Sequence, residues 1–91
     1  MIVEVTRFRA SDATALLAAR PAMLADFRDD RAGFAGARLV RLADDEWLDL
    51  VEWERAEDLA ASRAKGANRE GIAAFFAAIE ALVSSEDGPA V

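Results

Sequence analysis

Apolar and polar residues alternate along residues 2–9, IVEVTRFR. Ile2, Glu4, Thr6 and Phe8 fall on one side and Val3, Val5, Arg7 and Arg9 on the other, which predicts a β-strand. Ser11 then offers an N-cap oxygen and Asp12 a negative charge for the first turn of a helix. Ala13, Leu16, Leu17, Met23, Leu24 and Phe27 fall on one face of that helix, and Arg20 lies within the same stripe. Pro21 lacks a backbone donor and crowds the preceding turn, so a kink or two abutting pieces are expected there. Gly33 and Gly36 bracket Phe34 in a turn. A second strand follows over residues 36–43, and Asp44-Asp45 closes a hairpin into a third. A short helix stops at Gly66. Asn68 is placed to cap a last helix, whose Ile72, Phe75, Phe76, Ile79, Leu82 and Val83 recur at helical spacing. The tail SSEDGPAV is turn-rich, and Pro89 restricts it to an edge strand or no strand.

The order β-α-β-β-α-α, with a weak closing strand, is the split arrangement of a ferredoxin-like sandwich: an α+β fold with a four-stranded antiparallel sheet and helices on one face. Ninety-one residues make a single domain over 1–91. The third strand, EWLDLVEWE, holds both tryptophans. It sends Trp47, Asp49, Val51 and Trp53 one way, and Leu48, Leu50 and Glu52 the other. Both faces are largely apolar, and the other two strands repeat this with Val3, Val5, Val40 and Leu42. A bare sheet face of that kind exceeds what monomers usually expose, so a homodimer paired through the sheet faces is expected. The competing reading covers the far face with arginine and glutamate stems.

Composition narrows the chemistry. There is no cysteine, histidine or tyrosine. Thiolate nucleophiles, disulfides and cysteine-zinc sites are excluded, and so are the commonest neutral-pH base and metal ligand. Carboxylates, arginine, tryptophan, hydroxyls, amides and the backbone remain. The net charge of −6, with no basic cluster, argues against nucleic acid. No apolar run suits a bilayer span, no basic amphipathic helix suits its surface, and the N-terminus lacks a signal-peptide pattern. A cytoplasmic protein without membrane association is expected.

The run RAGFAGARLVRLADDEWLDLVEWERAEDL resembles the centre of the antibiotic biosynthesis monooxygenase family, in the dimeric α+β barrel superfamily. The features that carry the resemblance are the Gly33-Phe34-x-Gly36 turn, the acidic hairpin, and a strand ending Glu52-Trp53-Glu54 before a helix. The resemblance implies two ferredoxin-like subunits closing a barrel, with a pocket in each between sheet and helices. It also implies a cofactor-independent oxidation of an aromatic phenol to a quinone by O₂. The family motif on the third strand is an asparagine four residues before a tryptophan, with a tyrosine six residues after it. Trp53 matches the tryptophan, while Asp49 stands for the asparagine and Leu59 for the tyrosine. Haem-degrading relatives carry an asparagine on the first strand, where this chain has Thr6, and use a histidine this chain lacks. The alternative is a non-catalytic small-molecule-binding or structural homodimer of the same fold.

Asp49 and Trp53 share a strand face about 13 Å apart along the backbone. An apolar site between tryptophans would raise the aspartate's pKa and suit it to act as a base toward a phenol, with Trp53 shaping the pocket. The same residues also suit a structural core in which Asp49 is salt-bridged. Trp47 and Trp53 offer stacking surfaces to a flat aromatic substrate. Arg20 either pairs with a carboxylate or ligand anion near Glu4, Thr6 and Asp49, or packs its stem and reaches water. Phe75 and Phe76 fit a core, and Phe76 also fits a substrate-binding wall. Glu52/Glu54 and Asp44/Asp45 read as solvated surface, without enough converging oxygens for a metal.

Overall fold

A computed structural model describes all residues 1–91. The elements run β1 (Ile2–Arg9), α1 (Ala13–Asp30), β2 (Phe34–Arg41), β3 (Glu46–Trp53), α2 (Ala56–Lys65), α3 (Glu70–Ala77) and β4 (Ala81–Pro89). The four strands form one sheet in the order β2-β3-β1-β4, and every neighbouring pair is antiparallel. This is the ferredoxin-like α+β sandwich the sequence pattern predicts.

The register fixes the two faces. Phe8 opposes Trp47, Thr6 opposes Asp49, and Glu4 opposes Val51. These residues share the face on which the helices lie. There Phe8, Trp47, Val51 and Trp53 pack with Leu16, Met23 and Phe27 of α1, Leu59 of α2, and Ile72 and Phe75 of α3. The opposite face carries Val3, Val5, Val40, Leu48 and Leu50, all half-buried and none of them packed on that core.

Four local expectations are corrected. The N-cap of α1 is Asp12, whose Oδ1 accepts from the Ala15 amide at 3.0 Å. Ser11 instead donates its hydroxyl and its amide to Glu80. Helix α1 runs through Pro21 without a break. Pro21 and Leu17, the residue whose carbonyl loses its usual donor, both lie on the exposed side of the helix. Asn68 does not cap α3; its side chain accepts from Arg31 and donates to Asp30. The last helix also ends at Ala77, earlier than its apolar spacing suggests, and Leu82 and Val83 lie on β4. The free edge of β1 accounts for this: the Glu80 amide donates to the Arg9 carbonyl at 2.8 Å, and β4 then pairs along the full length of β1. Cross-strand hydrogen bonding there outweighs local helical periodicity.

The acidic end of α1 would be unfavourable on its own, because Asp29 and Asp30 add negative charge where the helix dipole is already negative. Three basic residues offset it, Arg31 at the helix's own end and Lys65 and Arg69 from beyond it. Arg31, buried, donates to Ser62 Oγ, Asp30 Oδ2, Asn68 Oδ1 and the Gly66 carbonyl. Lys65 and Arg69 close on Asp30 at 3.3 and 3.1 Å. Hydrogen bonding from Asn68 and Lys65, with the charges of Lys65 and Arg69, lowers the Asp30 carboxyl to about 2. This cluster seats α2 and α3 against α1. The α1–α3 crossing is close enough that a Cβ on Gly71 would lie 2.5 Å from the Ala22 carbonyl oxygen, and the Gly71 amide donates to Asp26 at 2.7 Å.

Candidate functional site

The buried side of the sheet carries a polar line across its middle. Ser85 of β4 opposes Thr6 of β1, which opposes Asp49 of β3. Glu4 is two residues along β1 on the same face. These four side chains form the polar floor of a cavity of about 380 Å³ between sheet and helices. Its apolar walls include Phe8, Met23, Phe27, Phe75 and Phe76. A volume of that size suits a small organic ligand.

Asp49 is buried and fully engaged. Arg20 reaches it from α1 with two parallel hydrogen bonds, Nη1 to Oδ2 at 2.6 Å and Nη2 to Oδ1 at 2.8 Å. The two side chains are equally shielded from solvent. The guanidinium also lies 5.1 Å from the centre of the Phe75 ring. Of the two sequence readings of Arg20, the carboxylate pair is the one the fold contains. A planar fork on a carboxylate is the strong geometry for such a pair, and here it cancels the aspartate's charge within the core.

Glu4 is differently placed. Its Oε1 accepts a long bond of 3.3 Å from the Trp53 indole N–H. Its Oε2 receives no hydrogen bond from the protein; the nearest cation is Arg63 Nη2 at 3.6 Å, half exposed on α2. Burial raises the Glu4 carboxyl above its ordinary range. The Trp53 bond and Arg63 oppose that rise, and Asp49 and Asp87 add to it. A second cavity of about 230 Å³, lined by Arg31, Ser62 and Arg63, shares Glu4, Phe27 and Phe76 with the first. Glu4 therefore stands where the two spaces meet.

Four of the residues singled out from sequence line the larger cavity: Glu4, Thr6, Asp49 and Phe76. Phe76 is exposed at its rim, whereas Phe75 belongs to the core. Trp53 and Arg20 do not line it; they stand behind Glu4 and Asp49 as their hydrogen-bond partners. Trp47 lies away from the cavity. Its indole N–H donates to the Ala10 carbonyl at 3.1 Å, and Arg41 covers its ring at 4.9 Å. The stacking surface of Trp53 is likewise taken up, by Phe27 and Phe34 at 6.0 and 5.8 Å between ring centres. Sequence reasoning missed Ser85 and Leu82, because the segment carrying them reads as helix and turn. It also missed Met23 and Phe27 as walls, since an apolar helix stripe does not show where packing leaves a gap. No group of three or more acidic side chains converges as a metal site would require.

No protein-family model and no curated sequence matches the chain. Solved structures do. A putative antibiotic biosynthesis monooxygenase from Bordetella bronchiseptica superposes with a TM-score of 0.81 at 16% identity, covering 99% of this chain and 96% of that one. SnoaB, a cofactor-independent oxygenase from Streptomyces nogalater, gives 0.67 at 22% identity, covering 96% and 87%. The heme-degrader MhuD from Mycobacterium tuberculosis gives 0.61 at 21% identity, covering 100% and 96%. At these identities the likeness is one of fold, and it is the fold of the antibiotic biosynthesis monooxygenases.

Proposed function

We propose that this chain, which shares the fold of the antibiotic biosynthesis monooxygenases, binds a small aromatic or polyketide-like molecule between its sheet and its helices and oxidises it without a cofactor. The supporting observation is the cavity of about 380 Å³ whose walls are aromatic and aliphatic and whose floor is Glu4, Thr6, Asp49 and Ser85. A flat phenol fits such a space, with its ring between side chains such as Phe75 and Phe76 and its hydroxyl on the polar floor. The reaction adds one oxygen atom of O₂ to a ring carbon as a quinone carbonyl, and the other leaves as water with the two hydrogens lost from ring carbon and hydroxyl. Asp49 and Trp53 on β3, the residues the sequence singles out for catalysis, are proposed to act by positioning: Asp49, held by Arg20, fixes one side of the polar floor, and Trp53 donates to Glu4. SnoaB, a cofactor-independent oxygenase of the same fold, favours this reading.

One observation favours a second reading, a non-catalytic small-molecule-binding dimer: both Asp49 oxygens are already occupied by Arg20. Incubating 1,8-dihydroxyanthracene with the protein in air separates the two. Oxidation predicts quinone absorbance and O₂ uptake above the uncatalysed rate, abolished in Ser85→Trp, which fills the cavity from the exposed edge strand. Binding with no turnover leaves the second reading alone.

In either case the protein is proposed to be a homodimer joined through the sheet faces. Val3, Val5, Val40, Leu48 and Leu50 form an apolar centre with no helix over it. Sedimentation at micromolar concentration should give a species of twice 9.8 kDa, and Leu50→Glu should give the monomer. A wild-type monomer would overturn the dimer.

A further inference from the structure

The two carboxylates facing the larger cavity are not equivalent, and their difference says what kind of aromatic molecule the cavity takes. The charge of Asp49 is cancelled at 2.6 and 2.8 Å by a buried guanidinium. Glu4 has one oxygen held by a long bond and the other without a donor. The charged groups facing it are Asp49 on β3, Asp87 on β4, Arg63 on α2, and Arg31 from the end of α1, across the smaller cavity. Arg31 is committed to Ser62, Asp30, Asn68 and Gly66, and Arg63 is shared with Asp87 at 3.3 Å. No cation is therefore dedicated to Glu4. Helices α1 and α3 present Phe27 and Phe76 there, which are neutral.

Resting on the proposed ligand site, we infer that Glu4 is the group that accepts the ligand's hydroxyl hydrogen, and that the cavity selects an uncharged hydroxyarene over an aromatic carboxylate. Glu4 is half-buried at the cavity and its Oε2 has no hydrogen-bond donor of its own, so a phenol O–H placed on it gains a hydrogen bond to a charged acceptor. A carboxylate ligand in the same place would set two negative charges together with no free guanidinium to offset them. Thr6, two residues along β1, and Ser85, opposite Thr6 on β4, tolerate either kind of ligand and do not select between them. Trp53 is a positioning residue: its N–H fixes Oε1, so that Oε2 is the oxygen presented to the ligand.

Three probes of one ring size test this by quenching of tryptophan fluorescence: 1,8-dihydroxyanthracene, 1,8-dimethoxyanthracene and anthracene-9-carboxylate. The wild-type protein should bind the dihydroxy compound about tenfold or more tightly than the dimethoxy one, the usual worth of a hydrogen bond to a charged acceptor. It should bind the carboxylate most weakly of the three. The hydroxy-over-methoxy preference should grow as pH rises through the Glu4 titration, because only the ionised group is purely an acceptor. Glu4→Gln should keep the fold, shrink that preference and remove its pH dependence, and it should improve carboxylate binding relative to wild type. Equal binding of all three probes by wild type would overturn the role of Glu4 while leaving the cavity reading in place. Binding of none would overturn both.

Discussion

Glu4 and Asp49 are two acidic side chains on adjacent strands, on the same face of one sheet and beside the same cavity, yet the fold treats them in opposite ways. Asp49 lies below Arg20, which falls within the apolar stripe of α1. Both side chains are buried, and each satisfies the other. Glu4 lies nearer the α2 end of the sheet, where the available cation is a half-exposed arginine and the available donor an indole N–H. A carboxylate beneath the helices thus becomes structural when a guanidinium fork arrives from the covering helix, and stays chemically available where it is half-buried beside aromatic rings and a shared arginine. Position along the strand decides between the two.

The largest expected effect follows from breaking the structural member. Asp49→Ala leaves Arg20 charged and unpaired in the core, and should cost about 3–5 kcal/mol in urea unfolding. Replacing both partners, as Arg20→Met with Asp49→Leu, should recover most of that loss. If the double variant is as unstable as the single one, the pair is not the isolated unit described above.

A smaller loss is expected for Trp53→Phe. It opens a gap beside Phe27 and Phe34, costing roughly 1–3 kcal/mol, and removes the donor that opposes the rise in the Glu4 pKa. The Glu4 carboxyl, followed by NMR, should then titrate at higher pH than in wild type.

Smaller again is the effect of Glu4→Gln on stability. Because the folded pKa of Glu4 lies above its ordinary 4.5, the folded state holds its proton to higher pH than the unfolded chain does. Stability therefore falls as pH rises from about 4.5 through the folded pKa. The variant should lack that fall, equalling or exceeding wild type at pH 7. A wild-type stability that rises over this window because of Glu4 would contradict the assignment.

Asp30, outside the cavity, gives the opposite sign. Its pKa is lowered from 3.8 to about 2, so the contribution is present above 3.8 and is lost as pH falls toward 2. Asp30→Asn should lower the melting temperature slightly at pH 7 and reduce the wild type's loss on acidification below pH 4.

Much of this arrangement was legible in the sequence, because strand alternation sorts side chains by face with a period of two. That rule puts Asp49 with Trp47 and Trp53 on one face of β3, and Glu4 with Thr6 and Phe8 on one face of β1, without saying which face the helices cover. Arg20 stood out as a charge in an apolar stripe, but its partner depended on how α1 crosses the sheet, which no local pattern encodes. The functions expected of the tryptophans were less legible. Periodicity reports that a ring faces inward, not whether a cavity or another ring meets it, and here both indoles are occupied by protein. The edge strand β4 was obscured because Leu82 and Val83 continue a helical spacing from Ile72. Its pairing with β1 is a long-range choice, and through it Ser85 and Leu82 enter the cavity.

The most direct test of the central claim is a crystal structure of the protein with 1,8-dihydroxyanthracene bound. The ring system is expected within the sheet–helix cavity, with one hydroxyl within hydrogen-bond distance of Glu4 Oε2 and the Arg20–Asp49 fork unchanged. A hydroxyl bound instead to Asp49 with Arg20 displaced, or a ligand seated outside the cavity, would contradict it.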